Sequence, residues 1–99
     1  MGARPHRLDE GAIAAALAGL PGWQRNGGTI GRQFRFADFR TAFAFMTAVA
    51  AIAEQLDHHP DWSNSYRDVV VALTTHDAGG LTTLDFELAR AIDAAAMAR

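Results

Sequence analysis

The period of the apolar side chains changes along this chain from helical to alternating and back, and each change marks an element. Ile13, Ala16, Leu17 and Leu20 recur at helical spacing, with Asp9 placed to cap the amino end. A first helix of about ten residues is predicted, closed by Pro21-Gly22. Trp23 to Asn26 and Thr29 to Phe36 read as extended, and Gly27-Gly28 between them can supply the positive φ angles of a tight hairpin. Asp38 then caps a long second helix, whose apolar positions Ala42, Phe45, Met46, Val49, Ile52, Ala53 and Leu56 follow the i, i+3, i+4, i+7 pattern. Phe39 and Phe43 broaden the same stripe. Pro60 disfavours helical geometry at His59, so this helix should finish by Asp57.

Trp62 to Tyr66 and Val69 to Thr75 read as a second hairpin turning at Arg67-Asp68, with Val69, Val71 and Leu73 facing the helices. Asp77 to Gly80 is a turn. Thr82 is a helix cap, Asp85 stands where it can return the bond, and Leu81 lies opposite Phe86 as a hydrophobic staple. A final helix carrying Leu84, Leu88, Ile92 and Ala95 follows. The order α-β-β-α-β-β-α implies an α+β fold, a four-stranded antiparallel sheet with helices packed on one face.

Composition narrows the class. With 99 residues, 49% of them hydrophobic, the chain suits one domain, continuous from Leu8, with residues 1–7 as a loose tail and His6 solvated within it. No apolar run approaches the ~20 residues of a membrane span, and no secretory signal pattern follows Arg4 and Arg7, so a cytoplasmic, non-membrane protein is expected. The absence of cysteine excludes disulfides and thiolate metal sites, leaving stability to packing and to self-association. A net charge of -2 and a pI near 6.0 give no footprint for nucleic acid. Arg25, Arg32, Arg35 and Arg40 read as a solvated strand face and helix start rather than a phosphate stripe.

The chemistry concentrates between Glu54 and Asp85, which bracket three of the four histidines, His58, His59 and His76. Imidazole donates and accepts protons near neutral pH, so the cluster points to proton transfer or metal binding. Glu54 lies one helical turn before His58 and is placed to orient that ring. His58 and His59, at a helix end before proline, can both be directed into a common pocket. Asp85 has two possible jobs, capping the last helix and orienting His76, of which capping carries more weight. Trp23, Trp62 and Tyr66 default to core or rim aromatics. Zinc is the rival reading, but neither a His-Glu-x-x-His helix pair nor a His-x-His strand pair is present. Ser63 and Ser65 lack a nucleophile elbow, and Gly79-Gly80 lacks a phosphate-binding fingerprint.

Glu54, three residues, His58-His59-Pro60, five residues, Tyr66, nine residues, His76, eight residues and Asp85 resemble the signature of the pterin-4a-carbinolamine dehydratases. Leu-Pro-Gly-Trp at 20–23, Ala-Phe-Ala-Phe-Met at 42–46 and Thr-Thr-His-Asp-Ala-Gly-Gly-Leu-Thr at 74–82 also resemble family segments. The resemblance implies a dehydratase that removes water from 4a-hydroxytetrahydrobiopterin, or a related 4a-hydroxytetrahydropterin, to give the quinonoid dihydropterin. It implies no metal or organic cofactor, a homodimer or homotetramer, and an aromatic amino acid hydroxylase as metabolic neighbour in tetrahydrobiopterin recycling. Animal members also bind a homeodomain transcription factor, a role that nothing in this sequence carries over. Residue by residue, His58, His59 and His76 match the family's active-site histidines. Asp57, Thr74, Thr75 and Asp77 match its substrate-contacting positions, and Glu54, Trp62 and Asp85 its supporting ones. His59 or His76 is expected as the acid at the hydroxyl, with His58 as base or binding group. The alternative is a binding or assembly partner on the same fold, its dehydration lost or incidental.

Overall fold

The computed structural model describes residues 5–99. In chain order the elements are α1 (Glu10–Ala18), β1 (Gln24–Asn26), β2 (Thr29–Arg35), α2 (Phe39–Leu56), β3 (Asp61–Ser65), β4 (Asp68–Leu73), a short 3-10 turn (His76–Ala78) and α3 (Thr83–Met97). The order α-β-β-α-β-β-α is the expected one. All pairings are antiparallel, with the strands in the order β1-β2-β4-β3. The two hairpins therefore lie side by side, joined by a β2–β4 ladder running from Ile30 opposite Leu73 to Arg35 opposite Asp68.

Alternation along the central strands decides which face meets the helices. Ile30 and Phe34 of β2, with Val69, Val71 and Leu73 of β4, are buried, whereas Val70 on the opposite face is 46% exposed. The buried set packs with Phe45 and Val49 of α2 and with Phe86, Leu88 and Ile92 of α3 in one core. Each such side chain contributes ~1.5–3 kcal/mol when fully buried, which is the stabilisation a cysteine-free chain must rely on. The helix starts are fixed locally. Asp9 accepts from the Ala12 N–H and Asp38 from the Thr41 N–H, both at 2.8 Å, and Thr82 with Asp85 forms the reciprocal box at α3.

Several boundaries differ from the expected ones. α1 stops at Ala18, before Pro21, because the Gly19 N–H closes onto the Ala16 carbonyl and the Leu20 N–H onto the Leu17 carbonyl; Leu20, beyond the helix, is still buried. The second hairpin turns at Tyr66-Arg67 instead of Arg67-Asp68. Asp68 is drawn into β4 opposite Ser65, its carboxylate is held by Arg35 at 2.8 Å, and the Asn64 side-chain amide donates to the Tyr66 and Asp68 carbonyls. β4 ends at Leu73, since Thr74 and Thr75 leave the ladder for the turn that carries His76. Phe39 and Phe43 do not extend the buried stripe of α2. They are 46% and 52% exposed, with rings 5.7 Å apart on the outer face.

Three of the four clustered arginines are engaged by carboxylates: Arg25 by Glu10, Arg32 by Asp93 and Arg35 by Asp68. Arg25 and Arg35 hold the Glu10 and Asp68 carboxyls below the usual carboxylate range through these hydrogen bonds. Of the expected tail, residues 1–4 lie outside the described residues, while Arg7 and Leu8 make contacts with residues 79–81.

Candidate active site

Two chain reversals build the site. The first is at the end of α2, where Asp57 takes a left-handed conformation with φ 50° and ψ 43°, its N–H donating to the Glu54 carbonyl at 3.2 Å. The His58 N–H then donates to the Ala53 carbonyl at 3.1 Å, so the chain doubles back and His58 points inward, 5% exposed. The next ring, His59, points out. The second reversal follows β4. Thr75 and Gly80 bond to each other through their backbones, and the turn between them displays His76 and Asp77. Thr74 anchors the near side by donating its hydroxyl to the Gly28 carbonyl at 2.6 Å.

Between these reversals lies a cleft of about 190 Å³ lined by Asp57, His58, His59, Thr74, His76 and Asp77. All three histidines that the sequence singled out border it. Their carboxylate partners differ from the expected ones. Glu54 was expected beneath His58, but helical register does not continue past Leu56, and the Glu54 Oε2 instead meets His59 Nε2 at 2.6 Å. Asp85 was expected to cap α3 and to orient His76. It does cap α3, but the ring it holds is His58, with Nε2 to Oδ1 at 2.6 Å. His76 sits 3.8 Å from Asp61 Oδ2 at the start of β3.

Asp85 is fully buried and its second oxygen is fully used. Oδ2 accepts from the Thr82 N–H at 2.9 Å and from the Thr75 hydroxyl at 2.8 Å, and the Thr75 and Thr82 hydroxyls are bonded to each other at 2.8 Å. A carboxylate in this arrangement only accepts. The His58 ring must therefore carry its proton on Nε2, and in the neutral ring the other nitrogen, Nδ1, is left with a lone pair. His59 and His76 belong to another environment, with side chains 56% and 81% exposed.

The remaining singled-out residues stand outside the cleft lining. Glu54 lies beyond His59, Thr75 and Asp85 lie behind His58, and Trp62 is half-buried against the core from β3. Asp61 was missed by the sequence reading, since it reaches His76 only through the β3–β4 pairing that sets it opposite Ala72. The Thr75–Thr82 bond was missed as well, because Thr82 read as a helix cap and nothing more. Among the described residues, no group of three or more His, Asp or Glu is arranged to hold a metal ion, and no helix is long and apolar enough to cross a membrane.

The four-stranded sheet and its helices bring three histidines, each beside a different carboxylate, to one open cleft, an arrangement of groups that can donate and accept protons. Residues 6–95 match the family described as pterin 4 alpha carbinolamine dehydratase. A relative from Bradyrhizobium sp. (strain ORS 278), described as a candidate pterin-4-alpha-carbinolamine dehydratase, is 58% identical over 93% of this chain and 94% of its own. One from Rhizobium etli with the same description is 52% identical over 97% of each. The crystal structure of a transcriptional coactivator/pterin dehydratase from Brucella melitensis superposes with a TM-score of 0.89 at 47% identity, covering 92% of this chain and 99% of that one. A pterin dehydratase-like protein identified as a RuBisCO assembly factor, 24% identical with a TM-score of 0.62 over 75% of this chain, shares the fold. The chain belongs to the pterin-4a-carbinolamine dehydratase family.

Proposed function

We propose that this chain, acting as one domain, dehydrates a 4a-hydroxytetrahydropterin to the quinonoid dihydropterin by histidine acid–base catalysis. The observation that carries the reading is the meeting of His58, His59 and His76 around one cleft, each beside its own carboxylate. Three rings, each beside its own carboxylate, suit proton traffic because imidazole both donates and accepts protons.

In the reaction the bond between C4a and its hydroxyl oxygen breaks, and the oxygen leaves as water after taking a proton. The N5–H bond gives up its proton to a base, and its electron pair forms the C4a=N5 double bond. No electron acceptor is required. His58 takes the base role: its Nδ1 lone pair receives the N5 proton, and Asp85, bonded at Nε2, stabilises the imidazolium and fixes the ring. The acid is drawn from the exposed pair. His59 or His76 protonates the departing hydroxyl and is recharged from solvent. Asp57, Thr74 and Asp77 hold the heterocycle by hydrogen bonds, while Glu54, Trp62, Thr75 and Asp85 support the rings from outside the lining. A positioned acid or base contributes ~10²–10⁴ in rate, so two of them make a modest but sufficient enzyme for a reaction that also runs unaided.

The reading places the chain in the recycling of tetrahydrobiopterin or a related cofactor, beside an aromatic amino acid hydroxylase in the cytoplasm. The exposed Phe39–Phe43 pair on α2 supports assembly into a homodimer or homotetramer. The test is to generate the 4a-hydroxypterin and follow its dehydration optically with chelator-washed protein. The expected result is acceleration well above the spontaneous rate, unchanged by the chelator. A rate equal to the spontaneous one defeats the enzyme reading and leaves the binding role.

A further inference from the structure

His76 reaches the cleft on a loop that has little of its own to hold it. The ring is 81% exposed, so the backbone beneath it decides where it points. That loop closes on itself: Thr75 and Gly80 exchange backbone hydrogen bonds at 3.2 and 3.3 Å, and the Ala78 and Gly79 N–H groups turn back onto the Thr75 and His76 carbonyls at 3.1 Å. Its ascending limb is anchored, since the Thr75 hydroxyl is buried on Asp85 and the Thr74 hydroxyl donates to the Gly28 carbonyl. The descending limb, Gly79-Gly80, has no side chain to pack, and Gly79 is left-handed at φ 74°. Glycine carries more backbone freedom than any other residue, so something outside the loop must fix this limb.

The amino-terminal segment does so. The Leu8 N–H donates to the Leu81 carbonyl at 2.8 Å and Leu8 packs against the core, which delivers Arg7 to the face of Gly80. A Cβ added at Gly80 would stand 2.8 Å from Arg7 Cδ and 3.2 Å from Arg7 Cγ, so the arginine stem lies directly on that glycine. The first hairpin also abuts it, since a Cβ at Gly28 would lie 3.4 Å from Gly80 Cα. The guanidinium ends at the Gly79 carbonyl, with Nη1 to O at 3.5 Å. A contact of that length at an exposed position adds little alone, and the apolar stem supplies the rest of the hold. We propose that Arg7 is a positioning residue for His76: laid across Gly80 and tied to Gly79, it sets the tilt of the loop and so the direction from which His76 meets the cleft. This rests on the dehydratase reading above, in which all three rings act on the bound heterocycle. A misplacement of ~1 Å at a reacting group can cost ~10² in rate, so a clamp outside the cleft reaches the chemistry through the ring that it aims.

The test is a double-mutant cycle on the full chain, with dehydration followed optically in the wild type, Arg7→Ala, His76→Ala and the double variant, and Arg7→Lys alongside. Arg7→Ala should lower kcat about three- to tenfold with KM little changed, because the cleft lining is left intact. Arg7→Lys keeps a long stem and a cation and should recover most of the rate. In the His76→Ala background the same Arg7→Ala change should have no further effect, since the ring being positioned is gone. Amide hydrogen exchange gives a readout independent of turnover: the Ala78 and Gly79 N–H groups should exchange faster in Arg7→Ala, and the His58 N–H, on the other reversal, at its wild-type rate. Wild-type kcat in Arg7→Ala, an equal loss with and without His76, a rise in KM alone, or unchanged exchange in the loop each overturns the positioning role while leaving the dehydratase reading intact. A wild type no faster than the spontaneous reaction overturns that reading and the positioning role with it.

Discussion

The two sides of the cleft use the same pairing, an imidazole against a carboxylate, in opposite surroundings. On the inner side His58 and Asp85 are 5% and 0% exposed, and the carboxylate is held by the Thr75 hydroxyl and the Thr82 backbone N–H. On the outer side the side chains of His59, Glu54, His76 and Asp61 are all more than half exposed. Exposed pairs of this kind contribute ~0–1 kcal/mol, whereas removing one partner of a buried pair costs ~3–5 kcal/mol. The inner side therefore belongs to the scaffold and, under the proposed mechanism, to the chemistry as well, whereas the outer side is free to serve that chemistry alone. A base that must keep one tautomer benefits from rigidity; an acid that must be reprotonated every cycle benefits from water.

That contrast can be broken experimentally, most severely at Asp85. Asp85→Ala should strip His58, Thr75 and the Thr82 N–H of their shared acceptor, and denaturant titration should show a loss of ~3–5 kcal/mol together with loss of activity. Asp85→Asn keeps the volume but lets the amide donate, so it should lower the dehydration rate through the wrong His58 tautomer while unfolding at a midpoint between wild type and Asp85→Ala. At Thr82, replacement by Ala removes the cap and the bond to Thr75, and about 1–2 kcal/mol should be lost with the rate less affected. On the outer side, Glu54→Gln should leave stability within ~0.5 kcal/mol and alter only the rate.

The smallest expected effect is at acid pH. The Thr41 side-chain and backbone hydrogen bonds hold the Asp38 carboxyl below its ordinary value, and Arg35 does the same for Asp68. A carboxyl lowered by folding adds stability that is complete above the unfolded carboxylate value near ~4 and is lost as pH falls through the lower folded value. Melting curves of Asp38→Asn and Asp68→Asn should accordingly fall less steeply below pH ~4 than those of the wild type. Equal slopes would remove these two groups from the acid response.

Much of this was legible in the residues. Capping at Asp9, Asp38 and Thr82 depends on bonds within one turn, so local sequence sufficed, and the alternation of Val69, Val70 and Val71 fixed which sheet face is buried. The histidines were visible as a cluster because their elements are consecutive. What escaped depends on geometry beyond one turn. The helical repeat puts Glu54 under His58 only if α2 continues, and the left-handed Asp57 breaks that register and exchanges the partners. The pairing of β2 with β4, which joins the hairpins, and the approach of Asp61 to His76 come from strand neighbours distant in sequence. Phe39 and Phe43 share the helical spacing of core residues, and periodicity alone cannot distinguish a stripe facing the sheet from one facing outward.

The most direct measurement is the dehydration rate of His58→Ala, His59→Ala and His76→Ala side by side with their unfolding midpoints. The expected pattern is a loss of rate in all three, ~10²–10⁴-fold for the base and for whichever ring is the acid, with His59→Ala and His76→Ala unfolding where the wild type does. Wild-type rates in both outer variants would mean that solvent, and not a histidine, protonates the departing hydroxyl, and a His58→Ala protein that still turns over normally would contradict the account at its centre.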